Sequence, residues 1–183
     1  YKYDIPLVAT NQVFFPTRKI YIFGAGHVGE ALANILKYGD FQIFCLDNRQ
    51  EVVEKYKNND KIKAKIFDYE KNEDYEKLEI DSHSFCVILT HKHSYDYDVM
   101  KNIYSLSGNP RYVGMIGSKL KVKANIDKFK NEMKDIELKN LFAPIGLKIG
   151  GDSAFEIALS IAAEIQSVIY GKEVNNMKLD PKS

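Results

Sequence analysis

Three glycines follow a stretch of β-branched and aromatic residues in the spacing Gly-x-Gly-x-x-Gly. The stretch 19–23 reads Lys-Ile-Tyr-Ile-Phe. In this pattern the first glycine allows a tight turn, the second lets a phosphate approach the backbone, and the third lets a helix pack against the strand. The N-terminus of that helix adds unpaired N–H groups and a positive dipole end. The motif predicts a phosphate-binding turn formed by Gly24, Ala25, Gly26, His27, Val28 and Gly29.

The segment after the glycines has the pattern of a helix that packs against a sheet. Gly39 suits the left-handed position that ends many helices. This context predicts a Rossmann-type strand–helix–strand unit. It does not identify a ligand, because the same turn can hold none, or a different phosphate compound. His27 either reaches over a bound phosphate or pterin or faces the solvent. Apolar residues recur at helical spacing at Val28, Ala31, Leu32, Ile35 and Leu36.

An acidic residue, Asp47, ends the next apolar stretch, 41–46. It lies about 20 residues beyond the glycines, where a Rossmann-type unit places a carboxylate that accepts hydrogen bonds from ribose hydroxyls. Arg49 follows two residues later and would soften the repulsion between Asp47 and a 2′-phosphate. We therefore predict that Asp47 and Arg49 bind a cofactor, and the pattern leaves the choice between NAD and NADP open.

Residues with acid–base capacity follow the apolar stretch 84–89, which reads as a buried strand. Ligands of parallel sheets bind at the carboxyl ends of the strands, so Thr90 and His91 are predicted to face the cofactor. Asp96 is predicted to cap the next helix or to orient a histidine. In an enzyme, His91 would be the acid–base residue with Asp96 as its orienting partner. The alternative is a polar loop with a surface histidine.

These histidines do not form a recognisable metal site. The metallohydrolase pattern His-x-His-x-Asp-His would require Asp at position 95 and His at position 96, where this chain has Tyr95 and Asp96. The ligand set is incomplete, so no metal is predicted.

A second candidate anion site follows the stretch 111–116. Gly114, Gly117, Ser118 and Lys119 combine two glycines, a hydroxyl and a cation. Backbone N–H groups with Ser118 and Lys119 would bind an anion, or Ser118 would simply cap the next helix. The glycine-rich segment 144–152 would close over a ligand or serve packing alone.

Alternating strand and helix patterns predict an α/β fold, a doubly wound, mostly parallel sheet with helices on both faces. We assign residues 1–18 to a lead-in, 19–171 to the Rossmann-type domain and 172–183 to a polar tail. Ser153 and Glu156 have the spacing of a capping box at the start of the last helix. Small residues along that helix predict a homodimer. Glu164, within it, is interpreted as a solvated or interface-paired carboxylate.

Composition excludes several classes of partner. The chain has 183 residues, with 26 Lys and Arg against 25 Asp and Glu, so no basic excess favours nucleic acid. No apolar run approaches the roughly 20 residues of a membrane span. The two cysteines, Cys45 and Cys86, have apolar neighbours and are predicted to be buried free thiols, which fits a reducing cytoplasm.

The motifs, in their order, resemble the C-terminal Rossmann domain of the XdhC/CoxI family, the xanthine dehydrogenase accessory factors. The similarity covers residues 19–170 and is carried by Phe23–Val28, Asp47 with Arg49, Leu89–Asp96, Tyr112–Ser118, Pro144–Gly150 and Glu156–Ile165.

The resemblance implies a cofactor chaperone. Family members bind molybdenum cofactor (molybdopterin), present it for sulfuration and deliver it to molybdenum hydroxylases such as xanthine dehydrogenase. A sulfurtransferase is a further implied partner. The phosphate of the cofactor would suit the glycine turn, and the loops at Thr90–His93 and Gly114–Ser118 would contact the pterin end.

This chain departs from the family pattern at three places. The N-terminal, cysteine-containing domain that family members usually carry is not found in the given sequence, so we expect either a fragment of a longer protein or a short member with the Rossmann domain alone. Lys148 replaces a usual acidic residue, and Ala154 replaces a frequent proline. Two other functions remain open, an NAD(P)-dependent oxidoreductase and a nucleotide-sensing or structural module that dimerises through its last helix.

Overall fold

The computed structural model describes residues 18–174, in which strands and helices alternate along the chain. The predicted lead-in and tail fall largely outside this range, and Arg18 is the first residue of the first strand. The strands are β1 Arg18–Phe23, β2 Phe41–Asp47, β3 Ile62–Ile66, β4 Phe85–Ile88, β5 Tyr112–Met115 and β6 Leu141–Phe142. The helices are α1 His27–Leu36, α2 Gln50–Glu54, α3 Asn72–Glu76, α4 His93–Ser105, α5 Lys119–Glu132 and α6 Ala154–Tyr170.

The strands form one sheet in the order β3-β2-β1-β4-β5-β6, and every pair of neighbours is parallel. This confirms the predicted α/β, doubly wound fold. The strand order reverses between β1 and β4, where Phe23 lies opposite both Leu46 and Ile88. The loops after β1, β2 and β4 therefore leave the sheet at one edge, which is where such folds bind ligands.

Side chains of β1 alternate between the two faces of the sheet and join two separate hydrophobic cores. Ile20 and Ile22 pack with Leu32 of α1 and Ile161 of α6 on one face. On the other face Tyr21 and Phe23 pack with residues of α3, α4 and α5. Helices therefore cover both faces, as predicted, because a strand points successive side chains in opposite directions.

Both cysteines are free thiols buried within the sheet, one on each face. Burial raises the pKa of Cys45 to about 12, so this thiol stays protonated and unreactive at neutral pH. The prediction of buried free thiols is confirmed.

Two helix boundaries test the capping predictions. The capping box of Ser153 and Glu156 is present at the start of α6, and Gly171 ends that helix in the left-handed conformation with φ 59°. The predicted end of α1 at Gly39 is wrong. That helix ends at Leu36, with Lys37 in the right-handed conformation, and the Gly39 N–H donates to the Leu36 carbonyl at 2.9 Å.

Among residues 18–174, no helix combines the length and the apolar character that crossing a membrane requires.

Candidate functional site

A cleft of about 380 Å³ opens at the carboxyl ends of β1, β2, β4 and β5, and we call it the glycine cleft. Its volume is within the range of small-molecule sites. It brings together predicted site residues from three separate loops and lies at the reversal of strand order. The lining residues are Gly26, His27, Val28, Gly29, Arg49, Val52, Lys55, Leu89, Thr90, His91 and Ile116.

The three glycines of the turn have three different surroundings. Gly24 has φ +106°, and a Cβ there would overlap the Leu89 carbonyl oxygen, so the turn passes close to β4. A Cβ at Gly29 would overlap the Gly24 carbonyl oxygen where α1 meets the turn. At Gly26 the nearest atom to a Cβ would be Arg49 Nη2 at 3.4 Å, so this glycine faces the open cleft.

Hydrogen bonds from neighbouring segments hold the turn in place. The Ala25 N–H donates to Asp47 Oδ2 at 2.8 Å, and the buried Tyr56 hydroxyl donates to the Ala25 carbonyl at 3.0 Å. The Gly24 N–H donates to the Leu46 carbonyl at 2.8 Å. The N–H and the carbonyl group of Ala25 are therefore both hydrogen-bonded within the protein, so this predicted site residue stabilises the turn.

Asp47 is fully buried and carries an ion pair with Arg49. Its Oδ1 accepts from the Arg49 N–H at 3.1 Å and from Arg49 Nε at 2.8 Å, and its Oδ2 accepts from Arg49 Nη2 at 2.8 Å. Burial raises the pKa of Asp47, but the hydrogen bonds from Arg49 and Ala25 outweigh burial and hold the pKa below its ordinary value. The carboxylate is therefore charged at neutral pH.

The lining of the glycine cleft favours an anion. Arg49 and Lys55 both border it, and Lys55 Nζ is 3.9 Å from Glu30 Oε2, too far for a strong ion pair. Within the described part of the chain, no carboxylate lines the cleft. The first N–H groups of α1 also point outward without intrahelical acceptors. His27 is an exposed residue at this helix start.

A network of polar side chains lies beside the cleft at the start of α4. Asp96 is buried, and its Oδ1 accepts from the Thr90 hydroxyl at 2.6 Å and from the Thr90 N–H at 3.1 Å. Its Oδ2 lies 3.4 Å from His93 Nδ1, and His93 Nε2 lies 2.6 Å from Lys121 Nζ. Burial raises the pKa of Asp96 above its ordinary value, although hydrogen bonds from Thr90 act against it.

The structure does not pair His91 with Asp96. His91 is exposed and its ring lies edge-on to Tyr95, with centroids 5.4 Å apart, whereas Asp96 contacts His93. The reason is that α4 begins at His93, so positions 93 and 96 share a helix face while 91 precedes it. The predicted acid–base pair is corrected accordingly, and Asp96 orients Thr90 and His93.

Residues of the second candidate anion site have roles in packing and in helix capping. Gly114 lies within β5, where a Cβ would overlap the Ile145 side chain, so its lack of a side chain serves packing. Gly117 has φ +152°, and the Ser118 hydroxyl caps α5 by accepting from the Lys121 N–H at 3.4 Å. These three residues do not line the glycine cleft, and the nearby Ile116 does.

Glu164 anchors the glycine-rich segment 144–152. This carboxylate is buried, and its Oε1 accepts from the Tyr112 hydroxyl at 2.6 Å and from the Gly146 N–H at 3.0 Å. The interpretation of Glu164 as a solvated or interface-paired group is therefore wrong, because Tyr112 of the central sheet reaches it across the interior.

Sequence reasoning missed several residues around the cleft, namely Val52, Lys55, Tyr56 and Leu89. Their positions carry a weak signal, since each follows the carboxyl end of a parallel strand within the next turn or short helix. Among residues 18–174, no group of three or more His, Cys, Asp and Glu side chains is placed to hold a metal ion.

Parallel strands in this order, the glycine turn after β1 and the acidic end of β2 define the class of Rossmann-type domains. The family model described as the XdhC Rossmann domain matches residues 20–165. The chain belongs to this family, as the resemblance of its motifs implies.

Two relatives carry names that refer to xanthine dehydrogenase. A protein of Bacillus subtilis (strain 168), described as a probable subunit of xanthine dehydrogenase, is 25% identical over 152 residues, which are 82% of this chain and 42% of the relative. A crystal structure described as a xanthine dehydrogenase from Bacillus halodurans has a TM-score of 0.72 and 26% identity, covering 86% of this chain and 44% of that one. The chain therefore spans less than half the length of each relative.

A more distant structure shares the fold alone. The NAD(P)-binding domain of an exopolyphosphatase-related protein from Archaeoglobus fulgidus has a TM-score of 0.51 and 20% identity, over 58% of this chain and 80% of that one.

Proposed function

We propose that this chain binds molybdenum cofactor through the glycine cleft and serves as an accessory protein of a xanthine dehydrogenase-type molybdenum hydroxylase. The observation that carries the proposal is the open position at Gly26, where the turn, the start of α1 and Arg49 converge without a side chain between them. Membership of the XdhC Rossmann domain family and the names of both relatives support the hydroxylase as the destination.

The residues of the cleft fit the phosphate end of such a cofactor. A Cβ at Gly26 would fill part of the space in front of Arg49, and Lys55 adds a second cation to the same lining. Backbone N–H groups at the start of α1 would donate to phosphate oxygens. Thr90 and His91, on the opposite side of the lining, would contact the pterin end. The cofactor supplies redox chemistry to the enzyme that receives it, and this chain holds and shields it.

Association with partners is part of the proposal. Phe155 and Leu159 are 59% and 43% exposed on one face of α6, and Ile149 just before this helix is 55% exposed. Neighbouring exposed apolar side chains mark interaction surfaces. We assign the exposed α6 face of Phe155 and Leu159 to a homodimer contact, and we expect the hydroxylase and a sulfurtransferase to approach the open side of the cleft. The free, buried thiols support a cytoplasmic location.

A second candidate is an NAD(P)-dependent oxidoreductase. The network from Thr90 through Asp96 and His93 to Lys121 supports it, because a chain of closely spaced polar and titratable groups beside a cofactor cleft can move protons. In that case Thr90, which also lines the cleft, would be the group nearest a substrate.

Calorimetric titration of the purified chain with molybdenum cofactor, NADH and NADPH separates the two functions. The accessory function predicts that the molybdenum cofactor binds at least about tenfold more tightly than either nicotinamide nucleotide, which is a difference of about 1.4 kcal/mol. Tighter binding of a nicotinamide nucleotide, with hydride transfer to a carbonyl substrate, would instead establish the oxidoreductase.

A further inference from the structure

The carboxylate of Asp47 has no capacity left for a ribose. Each of its oxygens accepts two hydrogen bonds from the protein, from the Arg49 N–H and Nε on Oδ1, and from the Ala25 N–H and Arg49 Nη2 on Oδ2. A carboxylate offers about four acceptor positions in total. A ribose diol could bind Asp47 only by displacing Arg49, which would leave a fully buried carboxylate without its cation.

Arg49, in contrast, keeps donors for a ligand. Its side chain is 33% exposed and uses Nε and one N–H of Nη2 for Asp47. A guanidinium has five N–H donors, and within residues 18–174 no other acceptor takes the remaining ones. Nη2 lies 3.4 Å from the Cβ position of Gly26, so the guanidinium faces the phosphate-binding turn. Lys55 lines the cleft on the same side.

We propose that Asp47 is a positioning residue for Arg49, and that Arg49 is the specificity-determining residue that selects a phosphomonoester over a ribose diol at this side of the cleft. This inference rests on the proposed function, the binding of a cofactor by its phosphate end. A phosphomonoester dianion accepts the remaining N–H groups of Arg49 without disturbing Asp47, and planar donor pairs suit phosphate oxygens.

Two kinds of compound carry such a group, and the experiment distinguishes them. One is a 2′-phosphorylated nucleotide, for which NADPH and NADH form a pair that differs only in the 2′-phosphate. The other is molybdenum cofactor in its form without a nucleotide, which ends in a phosphomonoester. Each compound is titrated into the wild-type chain and into Arg49→Gln, Arg49→Lys and Asp47→Asn, with folding monitored by circular dichroism.

The inference predicts that every phosphomonoester that binds the wild type loses at least about tenfold in affinity in Arg49→Gln. Arg49→Lys should restore part of this loss, because the charge returns without the planar donor pair. Asp47→Asn should lower the affinity for each phosphomonoester that binds the wild type more than it lowers the affinity for NADH, because it disturbs Arg49 as well as the turn. Lys57→Gln removes an exposed charge that does not line the cleft and should change nothing.

Specific outcomes overturn the inference. Equal affinity for NADPH and NADH, together with unchanged cofactor binding in Arg49→Gln, would show that Arg49 does not read a phosphomonoester. An NADPH to NADH affinity ratio that is unchanged in Asp47→Asn would show that Asp47 does not position Arg49. If the wild type binds molybdenum cofactor and only these variant effects are absent, the inference fails and the proposed function stands. If the wild type binds no molybdenum cofactor, the proposed function fails, and the inference fails with it unless NADPH binds more tightly than NADH.

Discussion

Burial raises the pKa of the Asp47 carboxyl group, whereas its hydrogen bonds with Arg49 and Ala25 lower it, and the hydrogen bonds together have the larger effect. The pKa lies below that of an unfolded Asp, which is about 3.9. The ionised group therefore contributes stability that is present above pH ~4 and is lost as the pH falls through the lower pKa of the folded state.

We predict that Asp47→Asn lowers the free energy of unfolding by about 2 kcal/mol at neutral pH, because an amide presents N–H donors to Arg49 or to Ala25 in place of a charged acceptor. The difference from the wild type should shrink below pH ~4, where Asp47 of the wild type becomes protonated. Urea unfolding across pH measures this. A difference that stays constant with pH would contradict the assigned ion pair.

Asp96 has the opposite pH dependence. Because burial raises its pKa, its contribution to stability is complete below the pKa of an unfolded Asp and declines as the pH rises through the higher pKa of the folded state. Asp96→Asn keeps an acceptor for the Thr90 hydroxyl but does not ionise. As the pH rises from ~4 to ~7, we expect the free energy of unfolding of the variant to increase by about 1 kcal/mol relative to that of the wild type. Thermal or urea unfolding at both pH values measures this change. A decrease in the stability of the variant relative to the wild type at pH ~7 would show that the folded protein favours the charged carboxylate.

The turn between β1 and α1 is the element on which the site depends, and its glycines should tolerate substitution unequally. Gly24→Ala places a side chain at φ +106° and against the Leu89 carbonyl, so we expect a loss of at least about 2 kcal/mol in unfolding free energy. Gly26→Ala has an extended backbone and only the end of Arg49 nearby, so the loss should stay within about 1 kcal/mol. Urea unfolding of both variants compares them. Equal losses would mean that the turn differs from the one described.

The elements also show what a sequence can predict. The alternating strand and helix patterns predicted the parallel sheet, the glycine spacing predicted the turn, and the capping box predicted the start of α6. Each of these features depends on local geometry with a fixed period. A contact of Asp96 with a histidine was predicted, but with His91 in place of His93, because the partner depends on where α4 begins and helix ends are the least certain feature of a pattern. Two contacts depend on the directions of side chains across the fold, which residue spacing does not encode. They are the pair of hydrogen bonds from the Arg49 guanidinium to Asp47 and the hydrogen bond from Tyr112 to Glu164.

At the scale of the whole molecule, the exposed apolar face of α6 predicts association. Leu159→Lys places a charge on this face, whereas Leu120→Lys places one on α5, where the wild-type leucine is 79% exposed. If the face forms a homodimer, Leu159→Lys should shift the chain to monomers in analytical ultracentrifugation, and Leu120→Lys should sediment like the wild type. A wild-type chain that remains monomeric at high micromolar concentration would contradict the dimer.

Calorimetric titration of molybdenum cofactor into the wild type and into Gly26→Leu shows whether the glycine cleft binds this cofactor. The leucine side chain would occupy the space between the turn and Arg49, while Gly39→Ala, a control beyond the end of α1, leaves the cleft unchanged. If the cofactor binds in the glycine cleft, the wild type and Gly39→Ala should show saturable binding, and Gly26→Leu should lose at least about tenfold in affinity. Equal binding to a folded Gly26→Leu variant, or no binding to the wild type, would show that the cofactor does not bind there.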